Sequence, residues 1–128
     1  MQAADLVRAG DLAGALGALQ ADIRAKPSDP KLRVFLFQLL CVRGEWDRAI
    51  NQLDVAAQLD AANLLMAQVG RQAILCESLR GEVFAGRRSP MIFGEPEPWI
   101  AWLVQANVLC AEGRDAAAAE LRAKALEA

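Results

Sequence analysis

An all-α fold, a solenoid of helical hairpins, is predicted by three observations. Cys41, Cys76 and Cys110 are spaced 35 and 34 residues apart, too regular to ignore and too distant for a local metal clip. Aligning "VRAGDLAGALGALQADIRAKP" under "CVRGEWDRAINQLDVAAQLDA" sets Gly10 on Gly44, Ala15 on Ala49, Leu19 on Leu53 and Pro27 on Ala61 at one offset of 34. The echo returns in "CAEGRDAAAAELRAKALEA", where Gly113, Ala118 and Ala125 fall in the slots of Gly44, Ala49 and Ala56. Third, start and stop signals mark out about seven helical segments along the chain.

The recurring residues have a physical purpose. Each glycine ends a helix in a backbone conformation that strains other residues, the alanine five places on lets the next helix approach closely, and the aliphatics between them fill the seam. Gly, Ala at +5, a small residue at +12 and a proline or polar turn near +17, on a period near 34, resemble the tetratricopeptide repeat. Asp22, where a small residue is usual, and Ala61, where proline is usual, depart from that pattern.

The elements follow in order. Helices are predicted at about 2–9 and 12–25, the second stopping before "KPSDP", where Asp29 caps and Pro30 opens a third at about 30–42. Gly44 closes it. A fourth, from Trp46 to Leu59, carries Trp46, Ala49, Ile50, Leu53, Ala56 and Ala57 on one core face. Asn63 is a plausible cap for a fifth, from Leu64 to about Arg80. A third repeat would then require glycine near 78, but Ser78 stands there.

The repeat breaks at that point. "GRRSPMIFGEPEPWIAW", residues 86–102, holds three of the five prolines and two of the three tryptophans. Pro90, Pro96 and Pro98 each remove a backbone donor, so 81–97 is expected to be an irregular crossover, ordered and partly buried because Phe84, Met91, Ile92 and Phe93 are apolar. Pro98 opens a sixth helix with Glu95 and Glu97 beside its positive end, and Trp99, Trp102, Leu103, Ala106 and Leu109 with Cys110 form its apolar stripe. A last helix from about 115 follows Gly113 and runs to Ala128 without a stop signal, implying a chain cut from something longer or one that frays. The expected organisation is one domain over 1–128, with units at about 1–27, 28–61, 62–80 plus the crossover 81–97, and 98–128.

Composition narrows the function. At 128 residues, 55% hydrophobic and 23% charged, the chain has the make-up of a globular domain. Its 14 basic and 16 acidic residues give a net charge of −2, and the longest basic run is Arg87-Arg88, so no nucleic-acid footprint exists. "MQAADLVRAGDLAGAL" is neither a secretory signal nor a membrane span, which points to the cytoplasm; the odd number of cysteines then argues against a disulfide framework. With no histidine, no tyrosine and serine only at 28, 78 and 89, no nucleophile–base set can be assembled, and no enzyme, cofactor, metal or small-molecule substrate is expected. The cysteines are read as small core residues, and Glu95 and Glu97 as solvated charges at a helix start.

Two stretches, "RVFLFQLLCVRGEWDRA" and "GEPEPWIAWL", make the chain similar to the ImpE family, also called TagJ or SciE-type, of accessory proteins of the bacterial type VI secretion system. The Gly/Ala framework is general to tetratricopeptide proteins; the Pro-Glu-Pro-Trp crossover is not. The resemblance spans nearly the whole chain and implies a non-catalytic adaptor that engages a helical segment of the small sheath protein, with a possible link to the ClpV ATPase. Family members usually continue into a C-terminal domain that this sequence lacks. The alternative is therefore a structural scaffold whose binding activity lies in that missing part.

A binding surface can be named from the repeat. In tetratricopeptide arrays the first helix of each pair lines the concave groove, and counting six residues back from the glycine gives Gln38 and Asn107, with Gln72 at the intervening offset. These amides either hydrogen-bond a docked helix whose apolar face meets Val34, Cys41 and Leu103, or pair with each other and with loop backbone. Arg87 and Arg88 form either a solvated loop tip or a second contact for acids on the partner.

Overall fold

The computed structural model describes residues 2–128 and is all-helical and tetratricopeptide-like, as the repeat predicts. Seven α-helices run in order: α1 (Gln2–Arg8), α2 (Leu12–Ala25), α3 (Pro30–Val42), α4 (Trp46–Leu59), α5 (Leu64–Phe84), α6 (Pro98–Ala111) and α7 (Asp115–Leu126), with a 3₁₀ turn at Ala61–Asn63 before α5. Neighbours pack as hairpins, α1 with α2, α3 with α4 and α6 with α7, while α2 also lies on α3. The chain divides into two compact units, Met1–Leu75 and Cys76–Ala128, so α5 begins in one and ends in the other.

In the first unit the local signals act as read. The Asp29 carboxylate accepts a 2.9 Å bond from the Lys31 amide with Pro30 in the first turn, satisfying one orphan donor of α3 without asking Pro30 for an N–H. At the other end Gly44 adopts φ 72° while the Glu45 amide reaches back to the Leu40 carbonyl at 2.9 Å. That is the Schellman closure, and only glycine enters it without strain. It drops the chain straight into α4, whose Ala49, Leu53 and Ala56 are buried, with Trp46, Ile50 and Ala57 half-buried beside them. Leu19, Leu40 and Leu53 are wholly buried, each stabilising the fold by roughly 1.5–3 kcal/mol through transfer from water. Fully buried Ala15 and Ala49 keep the helices close. Asn63 departs from its expected role: its side-chain amide donates to the Ala56 carbonyl at 3.2 Å, tying the turn back to α4, and Asp60 caps the 3₁₀ turn through the Ala62 amide. An acceptor-bearing side chain three residues nearer α4 thus takes the capping position first.

The second unit departs further. Helix α5 continues through Gly81 to Phe84, so the irregular segment starts at Ala85 instead of at 81. The glycine expected near 78 is Gly86, eight residues later, about two turns of helix. It has φ 73°, and the Arg87 amide closes on the Glu82 carbonyl at 3.0 Å, repeating the turn at Gly44. A Cβ on Gly86 would lie 2.6 Å from the Asn107 carbonyl oxygen and 2.9 Å from Ala111 Cβ, so this turn rests directly on the backbone of α6.

Several core expectations fail here. Met91 and Phe93 are 83% and 90% exposed, so the crossover is not a partly buried strap. Cys76 and Trp99 are also exposed, Trp99 in the first turn of α6. Trp102 is half-buried under the Lys124 ammonium, 4.2 Å from the ring centroid. The buried cluster is only Ala106, Leu109 and Ala118, with Cys110, Ala117 and Leu121 packed on it.

Candidate functional site

The residues singled out from the repeat fall in both units. In the first, Val34, Gln38 and Cys41 recur at i, i+4 and i+7 on one face of α3, with Gln38 exposed and the other two half-buried. Gln72 is exposed on α5. Gln52 accepts from Arg33 at 3.1 Å and Asn63 donates to α4, whereas Gln20, Asn51, Gln58 and Gln68 are as free of side-chain hydrogen bonds among the described residues as Gln38 and Gln72. Gln38 and Gln72 have no side-chain hydrogen bond among the described residues, so their donors and acceptors face water. Val34 borders an open depression of about 300 Å³ with Pro30, Lys31, Asp60 and Asn63. Burial pushes the Cys41 thiol up, away from the thiolate a nucleophile or metal ligand needs.

In the second unit Leu103 and Asn107 lie one turn apart on α6, both half-buried, and the Asn107 carbonyl is the atom against which Gly86 rests. Arg87 is already held: its Nε and Nη2 donate to the two Glu82 carboxylate oxygens at 2.9 and 2.7 Å, which lowers the Glu82 pKa and raises that of Arg87. Arg80 donates from Nε and Nη2 to one oxygen of Glu77, Oε2, at 3.0 and 2.7 Å, and lies over the Phe84 ring. Arg88 is exposed and has no ion-pair partner among the described residues.

A feature absent from the sequence reading lies beside these arginines. Cys76, Leu79, Arg80, Val83 and Phe84 of α5 and Pro90 and Met91 of the following segment line an open, mainly apolar trough of about 500 Å³. Its signal was present in the spacing of Cys76, Leu79 and Val83 at i, i+3 and i+7, but such a stripe reads as core until a covering helix proves missing.

Among the described residues no group of three His, Cys, Asp or Glu could hold a metal ion, and no helix is long and apolar enough to cross a membrane. The described residues form helical hairpins that present unpaired amides, arginines without an ion-pair partner such as Arg88, and exposed apolar side chains.

The helical hairpins define the class, a tetratricopeptide-like helical protein. Over its whole length the chain is 55% identical to the type VI secretion system accessory component TagJ of Pseudomonas aeruginosa, so the family resemblance drawn from its motifs holds. The chain spans 46% of that relative. The crystal structure of protein VPA1032 from Vibrio parahaemolyticus superposes with a TM-score of 0.86 at 28% identity, covering 99% of this chain and 48% of that one. No protein-family model matches the sequence.

Proposed function

We propose that the chain is a non-catalytic, cytoplasmic accessory protein of a type VI secretion system, an adaptor that binds a helical segment of the small sheath protein and so connects the sheath to the ClpV ATPase. The observation that carries this reading is the 55% identity to TagJ across all 128 residues. The exposed, unpaired amides Gln38 and Gln72 support it, since a row of donors and acceptors beside the half-buried Val34 and Cys41 suits a docked amphipathic helix.

The test is titration of the purified 128-residue chain with the small sheath protein, beside a Gln38→Glu, Gln72→Glu double variant. The variant should bind more than about tenfold more weakly, roughly 1.4 kcal/mol, with its melting temperature little changed. Unaltered affinity in a folded double variant would remove the amide face from the site. Absence of any binding by the wild-type chain would leave it a structural scaffold and end the adaptor reading.

A further inference from the structure

Residues 89–93, Ser-Pro-Met-Ile-Phe, run without a helix, turn or bend, and Gly94 at φ 75° ends the run. Met91 and Phe93 are 83% and 90% exposed and Ile92 between them only 37%, the period-2 alternation of a strand lying with one face on the protein. No main-chain N–H or C=O from residue 88 to residue 96 bonds to another main-chain group among the described residues, and no strand exists among them to supply one. Such a run, with open hydrogen-bonding groups and the β-favouring side chains of Ile92 and Phe93, is a template for a second strand.

The charges around the run select that strand. Arg88 stands just before it and Glu95 and Glu97 just after, all exposed and none in an ion pair among the described residues; on Glu82, Arg88 exerts only a minor pull after the hydrogen bond and charge of Arg87. A partner strand of one sign would meet repulsion at one end. A second copy laid antiparallel meets none, because its acidic end falls beside the basic end of the first, and the reverse. Pro90 then fixes the register. Having no N–H, it must stand where the main-chain groups point away from the partner, and alternation gives Ile92 the same orientation and turns the amides of Met91 and Phe93 inward. With Ile92 opposite itself on a two-fold axis, Met91 of each copy exchanges main-chain bonds with Phe93 of the other, and the two most exposed apolar side chains of the segment meet across the strands. We infer that residues 89–93 form a short antiparallel two-stranded ribbon with the same segment of a second copy, joining two chains as a two-fold dimer. The contact is small, in the class under about 1,200 Å² that makes weak and transient pairs, with a dissociation constant on the order of 100 μM. It goes beyond the adaptor reading above and does not depend on it.

Sedimentation equilibrium of the whole 128-residue chain, from about 10 μM to about 1 mM, should show a monomer–dimer equilibrium. Arg88→Glu makes both ends of the run acidic, and Glu95→Arg with Glu97→Gln makes both basic. Each variant alone should self-associate at least about tenfold more weakly, whereas an equimolar mixture of the two should form a heterodimer as tight as the wild-type pair. The changed side chains are all exposed, and melting curves check that the variants stay folded. Amide hydrogen exchange on the wild-type chain, which needs no variant, should slow with concentration at Met91 and Phe93 and not at Ile92. A chain that stays monomeric throughout, association indifferent to the charge changes, a mixture no tighter than its components, or protection of Ile92 in place of its neighbours would each overturn the inference. Protection of Met91 and Phe93 in dilute, monomeric chain on adding the small sheath protein would give the segment to that partner and overturn it as well.

Discussion

The same glycine turn ends α3 in the first unit and α5 in the second, yet the chain does different things after each. Past Gly44 the next helix begins at Trp46; past Gly86 it begins only at Pro98. In the first unit the immediate return lays α4 on α3, and together with α2 and α5 they bury Leu19, Leu40 and Leu53. In the second, residues 85–97 occupy the place in the chain where a packing helix would stand, and the apolar stripe at the end of α5 is left uncovered. A repeat that loses its second helix therefore exchanges core for exposed apolar surface.

The largest expected effect tests what the two glycines do. Gly44→Ala meets open space and only backbone strain, which costs about 1–2 kcal/mol. Gly86→Ala meets the same strain and also the Asn107 carbonyl and Ala111 Cβ, adding an overpacking penalty of about 1–3 kcal/mol. Urea unfolding should thus show a loss for Gly86→Ala clearly above that for Gly44→Ala. Equal losses would mean that α6 gives way and that the Gly86 contact is not a fixed joint.

These two positions also show what could be read from the sequence. The Asp29-Pro30 start, the Gly44 stop and the Ala49–Leu53–Ala56 face were legible because each is decided within a turn or two of chain. The length of α5 was not, since Gly81 and Gly86 are both eligible stops. The choice depends on Gly86 resting on a helix some twenty residues further on. The exposure of Met91 and Phe93 was missed for a different reason. Apolar residues do fill cores, but the converse, that an apolar residue must be buried, does not follow. Of the candidate site, repeat register singles out Gln38 and Gln72 but leaves open whether they meet a partner or pair with each other; their exposure, like that of the trough, is read from the structure.

A smaller effect concerns the tryptophans. Trp102, half-buried beneath Lys124, should lose less on truncation to Ala than the 3–5 kcal/mol of a fully buried aromatic, and Lys124→Ala should weaken the unit by about 0.5–1 kcal/mol. Trp99, 40% exposed, should matter less to stability than Trp102. Thermal melts of the three variants measure this order. A Trp99→Ala variant as unstable as Trp102→Ala would restore both rings to the core and narrow the contrast between the units.

The smallest effect compares the carboxylates beside the two turns. Glu45, next to Gly44, accepts from Arg43 at 2.6 Å and from Arg48, while Glu82 and Arg87 embrace across the Gly86 turn. Both carboxylates have pKa values held below the ordinary 4.5, chiefly by the hydrogen bonds from these arginines. A carboxyl whose pKa is lower folded than unfolded contributes stability that is present above the unfolded value and lost as pH falls through the folded one. Melting temperatures of wild type and Glu82→Gln should therefore differ slightly at neutral pH and converge below pH 4.5, and high salt should shrink the difference because both partners are exposed. A Glu82→Gln gap that persists unchanged into acid would show that the side chain acts there by packing and not by charge. The Gly86 turn would then owe its position to the α6 contact alone.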